Sequence, residues 1–353
     1  MAVYKIFPIA DSTLYSLFPS QNTGLDEILE VSVKNAKAIT EDLRRSVILF
    51  SNDDIEKIKN LVSGEYAARL KMYLSVAEGL SIPYTLNFNQ ITDNWVMGTG
   101  KFDDDTATTD GVCWYSTSSY ESPSSTWSSP EYLTVAGGGS WNSTICSQSF
   151  YYSDNKDVNA DVTNIVTNWF NGDDNNGIIV KHPQEIENNL SSSIILNFYS
   201  IDTHTIFPPC LEIKWDDSIY TTGSLTQIDT NTSVVNITNN PGSIKRSTNK
   251  YQFRISARDQ FPKRLFTTSS IYMNSKCLSS SSYWAIQDLK TEDTIIDFDQ
   301  NYTKISCDGT SSYFDVYTSN LEPERYYRLL IKTLLDSGEE IVYDNNSIFK
   351  IVR

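Results

Sequence analysis

The chain has 353 residues, 39% of them hydrophobic and 20% charged, and its 44 acidic and 28 basic side chains leave a net charge of −16. That length exceeds one ordinary hydrophobic core and points to two domains. No apolar run reaches the length of a membrane-spanning helix, and no membrane insertion is expected. Abundant Tyr, Phe, Ser, Thr and Asn favour strands and turns over helices. The charge is unevenly placed: residues 246–353 contain 14 basic and 14 acidic side chains, so the whole surplus lies in residues 1–245. Phosphate binding needs basic clusters, which argues against nucleic acid as a partner of the first part. The same shift sets a domain boundary near residue 245.

The opening "VYKIFPIADSTLYS" alternates like a strand and breaks at Pro19–Asn22. It lacks the basic start and apolar stretch of a secretory signal, which implies a protein finished in the cytoplasm of the cell that makes it. "ILEVSVK" (28–34) and "RRSVILF" (44–50) read as strands, and "DDIEKIKNLVSG" (53–64) as a short helix capped by Asp53. In "AARLKMYLSVAEG" (67–79), Ala68, Leu70, Met72 and Leu74 share one face at strand spacing. Residues 115–149 are rich in Ser, Gly and Pro and read as long surface loops with one or two short strands. "DVTNIVTNWFNG" (161–172) is the clearest helix. Asp161 caps it, Val162, Ile165, Val166 and Trp169 form one apolar stripe, and Asn171–Gly172 ends it. That stripe suits a helix closing the open end of a sheet core, because it offers no reactive residue. "GIIVKH", "SIILNFYS" and "CLEIKW" follow as strands. Many short strands separated by turn signals predict an all-β chain whose first domain, residues 1–217, is a jelly-roll-like β-sandwich.

Residues 218–249 are polar and weakly alternating and read as an extended linker. Within it, "SVVNITN" (233–239) carries strand-forming Val234, Val235 and Ile237 with no evident partner, which makes it a candidate assembly strand. Residues 250–353 supply strands at "KYQFRISAR", "YWAIQDLK", "DTIIDFD", "YFDVYTS", "YYRLLIKTLL" and "SIFKIVR". About seven strands in a hundred residues predict a smaller immunoglobulin-like β-sandwich.

Chemistry-bearing constellations are sparse. Cys113, Cys146, Cys210, Cys277 and Cys307 are odd in number and not spaced as a metal knuckle, so they read as reduced, buried thiols. His182 and His204 are not ligand-spaced and read as surface or turn residues. No catalytic residue, cofactor or metal ligand is assigned. "FDDDTATTDG" (102–111) and "NGDDNNG" (171–177) hold oxygen ligands of the kind calcium takes, but neither matches an EF-hand, and a solvated turn is the better reading. "GTG" (98–100) and "GGG" (137–139) lack the strand–helix setting of a phosphate loop. Trp114, Trp127 and Trp141 lie in or beside the long loops, where exposed aromatics would contact a glycan or a protein partner.

The stretches "ADSTLYS" (10–16), "RRSVILF", "AARLKMYL", "NWVMGTGKFDDD" (94–105), "DVTNIVTNWFNGDDNNGIIVK" (161–181) and "FYSIDTHTIFPPCLEIKWDD" (198–217) follow one another as in the DNRLRE-type family. That family is a carbohydrate-binding-module-like β-sandwich, and residues 1–217 resemble it. The stretches "KYQFRISARDQFPKRLFTTSSIYMNSKCL", "SYWAIQDLKTEDTIIDFDQNYTKIS" and "YFDVYTSNLEPERYYRLLIKT" look like the tail end of tailed-phage structural proteins. The resemblance implies a virion structural protein of the tail, neck or baseplate, without enzymatic activity. Its partners would be other virion proteins and further copies of itself in a symmetric particle. The alternative is a carbohydrate-binding module mediating glycan attachment. Fold-level likeness carries no function by itself, so both are expectations.

Overall fold

A computed structural model describes residues 2–36, 40–80, 83–120, 125–128, 137–189, 193–261 and 275–353. The chain is all-β, as expected, and divides into two units. The acidic unit comprises Ile6–Leu61 and Ala67–Glu212. The C-terminal unit comprises Ile213–Arg353 together with Met1–Lys5 and Val62–Tyr66. The boundary falls at 212/213, near the end of the expected first domain and not near residue 245 where the charge shift placed it, and residues 1–5 and 62–66 belong with the C-terminal unit. Sequence-local charge could not show this, because the assignment depends on which side chains share a core. The charge division itself survives: the acidic unit holds 26 acidic and 11 basic side chains, the C-terminal unit 18 and 17.

The acidic unit is organised on an eight-stranded sheet. Its strands are Pro8–Tyr15, Ile28–Ala36, Thr40–Phe50, Leu74–Glu78, Tyr84–Ile91, Trp141–Phe150, Ile178–Lys181 and Ser193–Tyr199. Alternation sets the register. Ile194, Leu196 and Phe198 stand opposite Val33, Val31 and Leu29, and all six are buried. Such cross-strand apolar pairs are the unit of sheet stabilisation. Ile178–Lys181 runs antiparallel between Thr40–Phe50 and Tyr84–Ile91 and is buried at all four positions. The sheet order ends at Leu74–Glu78 and at Trp141–Phe150. Two details differ from the sequence expectation. The run through 67–79 breaks at Tyr73, so Ala68, Leu70 and Met72 are buried in Tyr66–Met72 while Leu74 begins a strand of the large sheet. Of the stretch 115–149 read as loops, residues 121–124 and 129–136 lie outside the described residues, and its end is a ten-residue strand. That strand was hidden by its Ser- and Thr-rich outer face.

Helix α1 spans Asn52–Leu61 and buries Ile55 and Ile58. The Asp54 amide donates to the Ser51 hydroxyl at 3.4 Å, so the capping oxygen comes from Ser51 and not from Asp53. Helix α2 spans Thr163–Asn171. Val162, Ile165, Val166 and Trp169 are all buried, which places the predicted stripe in the core. Val162 occupies the capping position, and Asp161 acts from one residue earlier: its Oδ1 accepts from the Thr163 amide at 3.0 Å and hydroxyl at 2.7 Å. Gly172 ends the helix in the left-handed region, with φ of 111°. The helix start is tied to a strand: the Val162 amide donates to the Ala68 carbonyl at 2.9 Å, and the Ala68 amide donates to Thr163 Oγ1 at 3.0 Å.

The C-terminal unit is a two-sheet β-sandwich. Phe253, Ile255, Phe314 and Val316 from one sheet share a core with Trp284, Ile286, Tyr327, Leu329, Ile331, Phe349 and Ile351 from the other. Residues 218–249, expected as a linker, are part of this sandwich. Tyr220–Thr221 pairs parallel with Ser306–Asp308, and Ser243–Lys245 pairs parallel with Glu340–Val352. Ser233–Ile237 runs antiparallel to Lys250–Asp259, with Val234 opposite Arg258, Val235 opposite Ala257 and Ile237 opposite Ile255. The candidate assembly strand is therefore satisfied within its own chain, and Val235 is 1% exposed. Its partner lies a short way on in sequence, beyond the strand Ser243–Lys245, which pairs in the other sheet. The strand Ala2–Ile6 also contributes here. Val3 joins the same core, and the Lys5 amide donates to Asn320 Oδ1 at 2.8 Å.

Two stability predictions follow from this packing. Trp169→Ala should cost about 3–5 kcal/mol, as large aromatic truncations in cores do. Asp161→Ala should cost roughly 1 kcal/mol, the net worth of its hydrogen bonds to Thr163 at the helix start. Urea denaturation of each variant checks the ratio. Deleting residues 233–239 should unfold the C-terminal unit, read as loss of protected amides in Lys250–Asp259 by hydrogen exchange. Native protection after deletion would show that the strand Ser233–Ile237 is dispensable.

Candidate functional site

The most elaborate polar cluster of the acidic unit is centred on Arg45. Arg45 lies on the same strand parity as Val47 and Leu49, and is 1% exposed. Its Nε and Nη2 donate to Glu187 Oε1 and Oε2 at 3.0 and 2.8 Å, a bidentate pair. Nη1 donates to the Gly138 carbonyl at 2.7 Å. The guanidinium lies 4.9 Å from the Trp114 ring centre and 5.2 Å from that of Trp141. Lys181 Nζ is 4.9 Å from the Trp141 ring, 3.7 Å from Glu187 Oε2 and 3.2 Å from the His182 carbonyl, to which it donates. Burial lowers the Lys181 pKa against the opposing pull of Glu187. Burial alone would raise that of Glu187, but Arg45 and Lys181 hold it below the ordinary carboxylate value.

This cluster ties Trp114 and Gly138, from the described parts of the long segment between Ile91 and Trp141, to the sheet. Trp95, Val112, Trp114 and Trp127 from that segment pack with Ala10, Leu14, Val47 and Ile179. The Trp127 indole donates to the Cys113 carbonyl at 3.0 Å. Trp114 and Trp127 are 2% and 5% exposed, and Trp141 is half-buried against the same core. The three tryptophans expected to present rings to a glycan or partner are thus anchors of the loop layer. Their ring area is consumed by burial, where it contributes most. The glycines of "GGG" serve the same packing. A Cβ on Gly138 would lie 2.6 Å from Arg45 Nη1 and one on Gly137 2.4 Å from the Trp114 carbonyl oxygen, and both residues have positive φ.

A second pivot is Asn22, fully buried. Its amide nitrogen donates to the Met97 and Val112 carbonyls at 2.6 and 2.8 Å, and its oxygen accepts from the Gly24 and Gly100 amides. "GTG" is therefore a loop wrapped around a side chain. In "FDDDTATTDG", Asp104 accepts from Lys101 and Thr108, and Asp110 from Thr99, as in self-contained turns. Among the described residues, no group of three or more His, Cys, Asp or Glu side chains is placed to hold a metal ion. All five cysteines are buried thiols outside any disulfide. His204 is exposed as expected, but His182 is buried at 1% exposure, and burial lowers its pKa to about 4.

The exposed chemistry of this unit lies elsewhere. Leu17, Phe18, Val96, Tyr115 and Tyr120 are large apolar or aromatic side chains left at least 41% exposed. Backbone hydrogen bonds bring their segments together: Tyr115 amide to Pro19 carbonyl, Val96 amide to Thr117 carbonyl and Tyr120 amide to Thr109 carbonyl. Tyr115 and Tyr120 stack with ring centres 6.4 Å apart and an interplanar angle of 29°. Phe18 packs edge-on against Phe102, which contacts Tyr15. Sequence reasoning passed over these tyrosines because they sit in a Ser-rich stretch beside the more conspicuous tryptophans.

No known protein-family model matches the chain, and no curated protein is significantly similar to it.

Two pH and charge predictions follow. Glu187→Gln leaves Arg45 and Lys181 buried without their anion, so stability should fall by about 3–5 kcal/mol. Denaturant titration followed by tryptophan fluorescence reads both the loss and the changed surroundings of Trp114 and Trp141. Asp11 is 1% exposed, and its Oδ2 accepts from the Ile201 amide at 2.8 Å. Burial raises its pKa from the ordinary 3.8 to about 8. Between those values the folded chain keeps a proton that the unfolded chain releases, so this contribution is fully present below 3.8 and is lost as pH rises toward 8. Asp11→Asn retains the acceptor without the ionisation. It should stabilise the protein at pH 8 by about 2 kcal/mol or more and have little effect near pH 4. An equal effect at both pH values, by thermal or urea denaturation, would contradict this assignment.

Proposed function

We propose that the chain is a non-enzymatic structural protein of a tailed-phage particle, a component of the tail, neck or baseplate that acts through contacts with other virion proteins and with further copies of itself. One observation carries the contact-making part of this reading. The acidic unit buries Trp95, Trp114 and Trp127 in a second core over the sheet, yet leaves Leu17, Phe18, Val96, Tyr115 and Tyr120 exposed together. Clustered exposed hydrophobics of this kind mark interaction surfaces, whereas single ones do not. The ends of the large sheet, among the described residues, give further support. Leu74–Glu78 and Trp141–Phe150 end the strand order, with Val76 and Ile145 exposed on them. Strand edges offer unpaired backbone groups for addition of another chain. The assignment to a phage particle rests on the resemblance of residues 1–217 and 250–353 described above.

Antibodies against the chain, used as gold label on particles purified from the cells that express it, test the proposal. Labelling at a fixed position on the tail, neck or baseplate is the expected result, with the chain recovered at constant stoichiometry by mass spectrometry of the same particles. A chain found only in the particle-free fraction would overturn it.

A further inference from the structure

The exposed aromatic cluster of the acidic unit has a chemical character that narrows its partner. We propose that it is the docking surface for an arginine-bearing basic segment of another protein, an inference that rests on reading the chain as a contact-making structural protein. The stacked rings of Tyr115 and Tyr120 are 41% and 50% exposed, so π-surface is available at both. The loop that carries them is acidic. Residues 92–120 hold Asp93, Asp103, Asp104, Asp105 and Asp110 against the single base Lys101. Asp103, Asp104, Asp105 and Asp110 are exposed, and Lys101 Nζ lies 3.8 Å from Glu27 Oε1. Behind the loop stands a unit with 26 acidic and 11 basic side chains, whose field favours approach of a cation.

Aromatic faces beside carboxylates select a cation that can stack and pair at once. A guanidinium does both: it is planar, forks onto carboxylates and sheds water more readily than an ammonium. The same unit uses this pairing internally, with Arg44 5.2 Å from the Tyr15 ring centre and bonded to Asp42, and Arg45 stacked on Trp114 while bonded to Glu187. Leu17, Phe18 and Val96 supply apolar area for the methylene stem of the incoming side chain. The backbone hydrogen bonds at Tyr115 and Tyr120, and the packing of Phe18 on Phe102, hold the surface in place before binding. Preorganisation of this kind lowers the ordering cost of association.

The test uses the full chain and two probe peptides, one alternating arginine with glycine and its lysine counterpart, titrated by fluorescence anisotropy at low and moderate salt. The chain should bind the arginine peptide more tightly than the lysine peptide. Tyr115→Ser with Tyr120→Ser, which leaves the charge unchanged, should weaken arginine-peptide binding about tenfold, as loss of cation–π contacts does. Asp103→Asn with Asp105→Asn should weaken it further as salt is lowered, and keeps the question open to measurement should the tyrosine variant fail to fold. Equal binding by wild type and the tyrosine variant would reduce the attraction to bulk charge and overturn the proposal. Retention of glycans on an array by wild type, lost in the tyrosine variant, would overturn it in favour of carbohydrate. A photo-crosslinker at position 120, applied in intact particles, should join the chain to a basic segment of a neighbour. Because peptide titration needs no particle, a failure of the docking surface and a failure of the virion reading give different results.

Discussion

The bidentate pair between Arg45 and Glu187 is the constraint on which the acidic unit's upper layer depends. A guanidinium taken out of water is costly unless its donors are used and its charge is met. Here two donors meet the carboxylate, a third meets the Gly138 carbonyl, and the faces meet Trp114 and Trp141. Each partner comes from a different part of the chain, separated from Arg45 by 142 and 93 residues in the case of Glu187 and Gly138. Satisfying the charge therefore selects one placement of the loop segment over the sheet. Apolar packing of Trp95, Val112 and Trp127 then fills the space so defined.

That loop layer connects the interior to the surface. Trp114 is in the core and Tyr115, its neighbour, is exposed. The same few residues thus anchor the segment and present the aromatic pair. Asn22 acts from the other side by holding the Met97 and Val112 carbonyls. The exposed aromatic pair is displayed on a framework tied by these hydrogen bonds and by the burial of Trp114, although it consists of loop.

Much of the strand pattern was readable because alternation on a half-buried face leaves its mark locally. Ile28–Ala36, Ser193–Tyr199 and the stripe of α2 are cases where side-chain spacing alone determines what is buried. Three kinds of feature were not readable. Trp141–Phe150 has an outer face of Ser143, Ser147 and Ser149, so its composition imitates a loop. Ser233–Ile237 looked unpartnered because its mate begins the region already assigned to another domain. The loop tryptophans were taken for surface rings, since a core made by a folded-over loop has no periodicity to announce it. One signal was present and unused. Arg45 shares strand parity with Val47 and Leu49, and a charge on an otherwise apolar face implies a buried counter-ion. Which residue supplies that ion, Glu187, is a matter of tertiary distance alone.

The strand Ala2–Ile6 has a kinetic consequence. Asn320 brackets it, donating to the Val3 carbonyl and accepting from the Lys5 amide, across sequence separations of 317 and 315 residues. On the ribosome this segment is made before the acidic unit, whose own contacts close within residues 6–212. Its strand partner, Cys210–Trp215, follows only at the end of that unit, and Asn320 later still. Contacts so remote in sequence are slow to form, because loop closure precedes any gain from pairing. The acidic unit can complete its fold first, the bonds to Asn320 form later, and in the interval between the two the segment 2–5 is most exposed to the wrong neighbour.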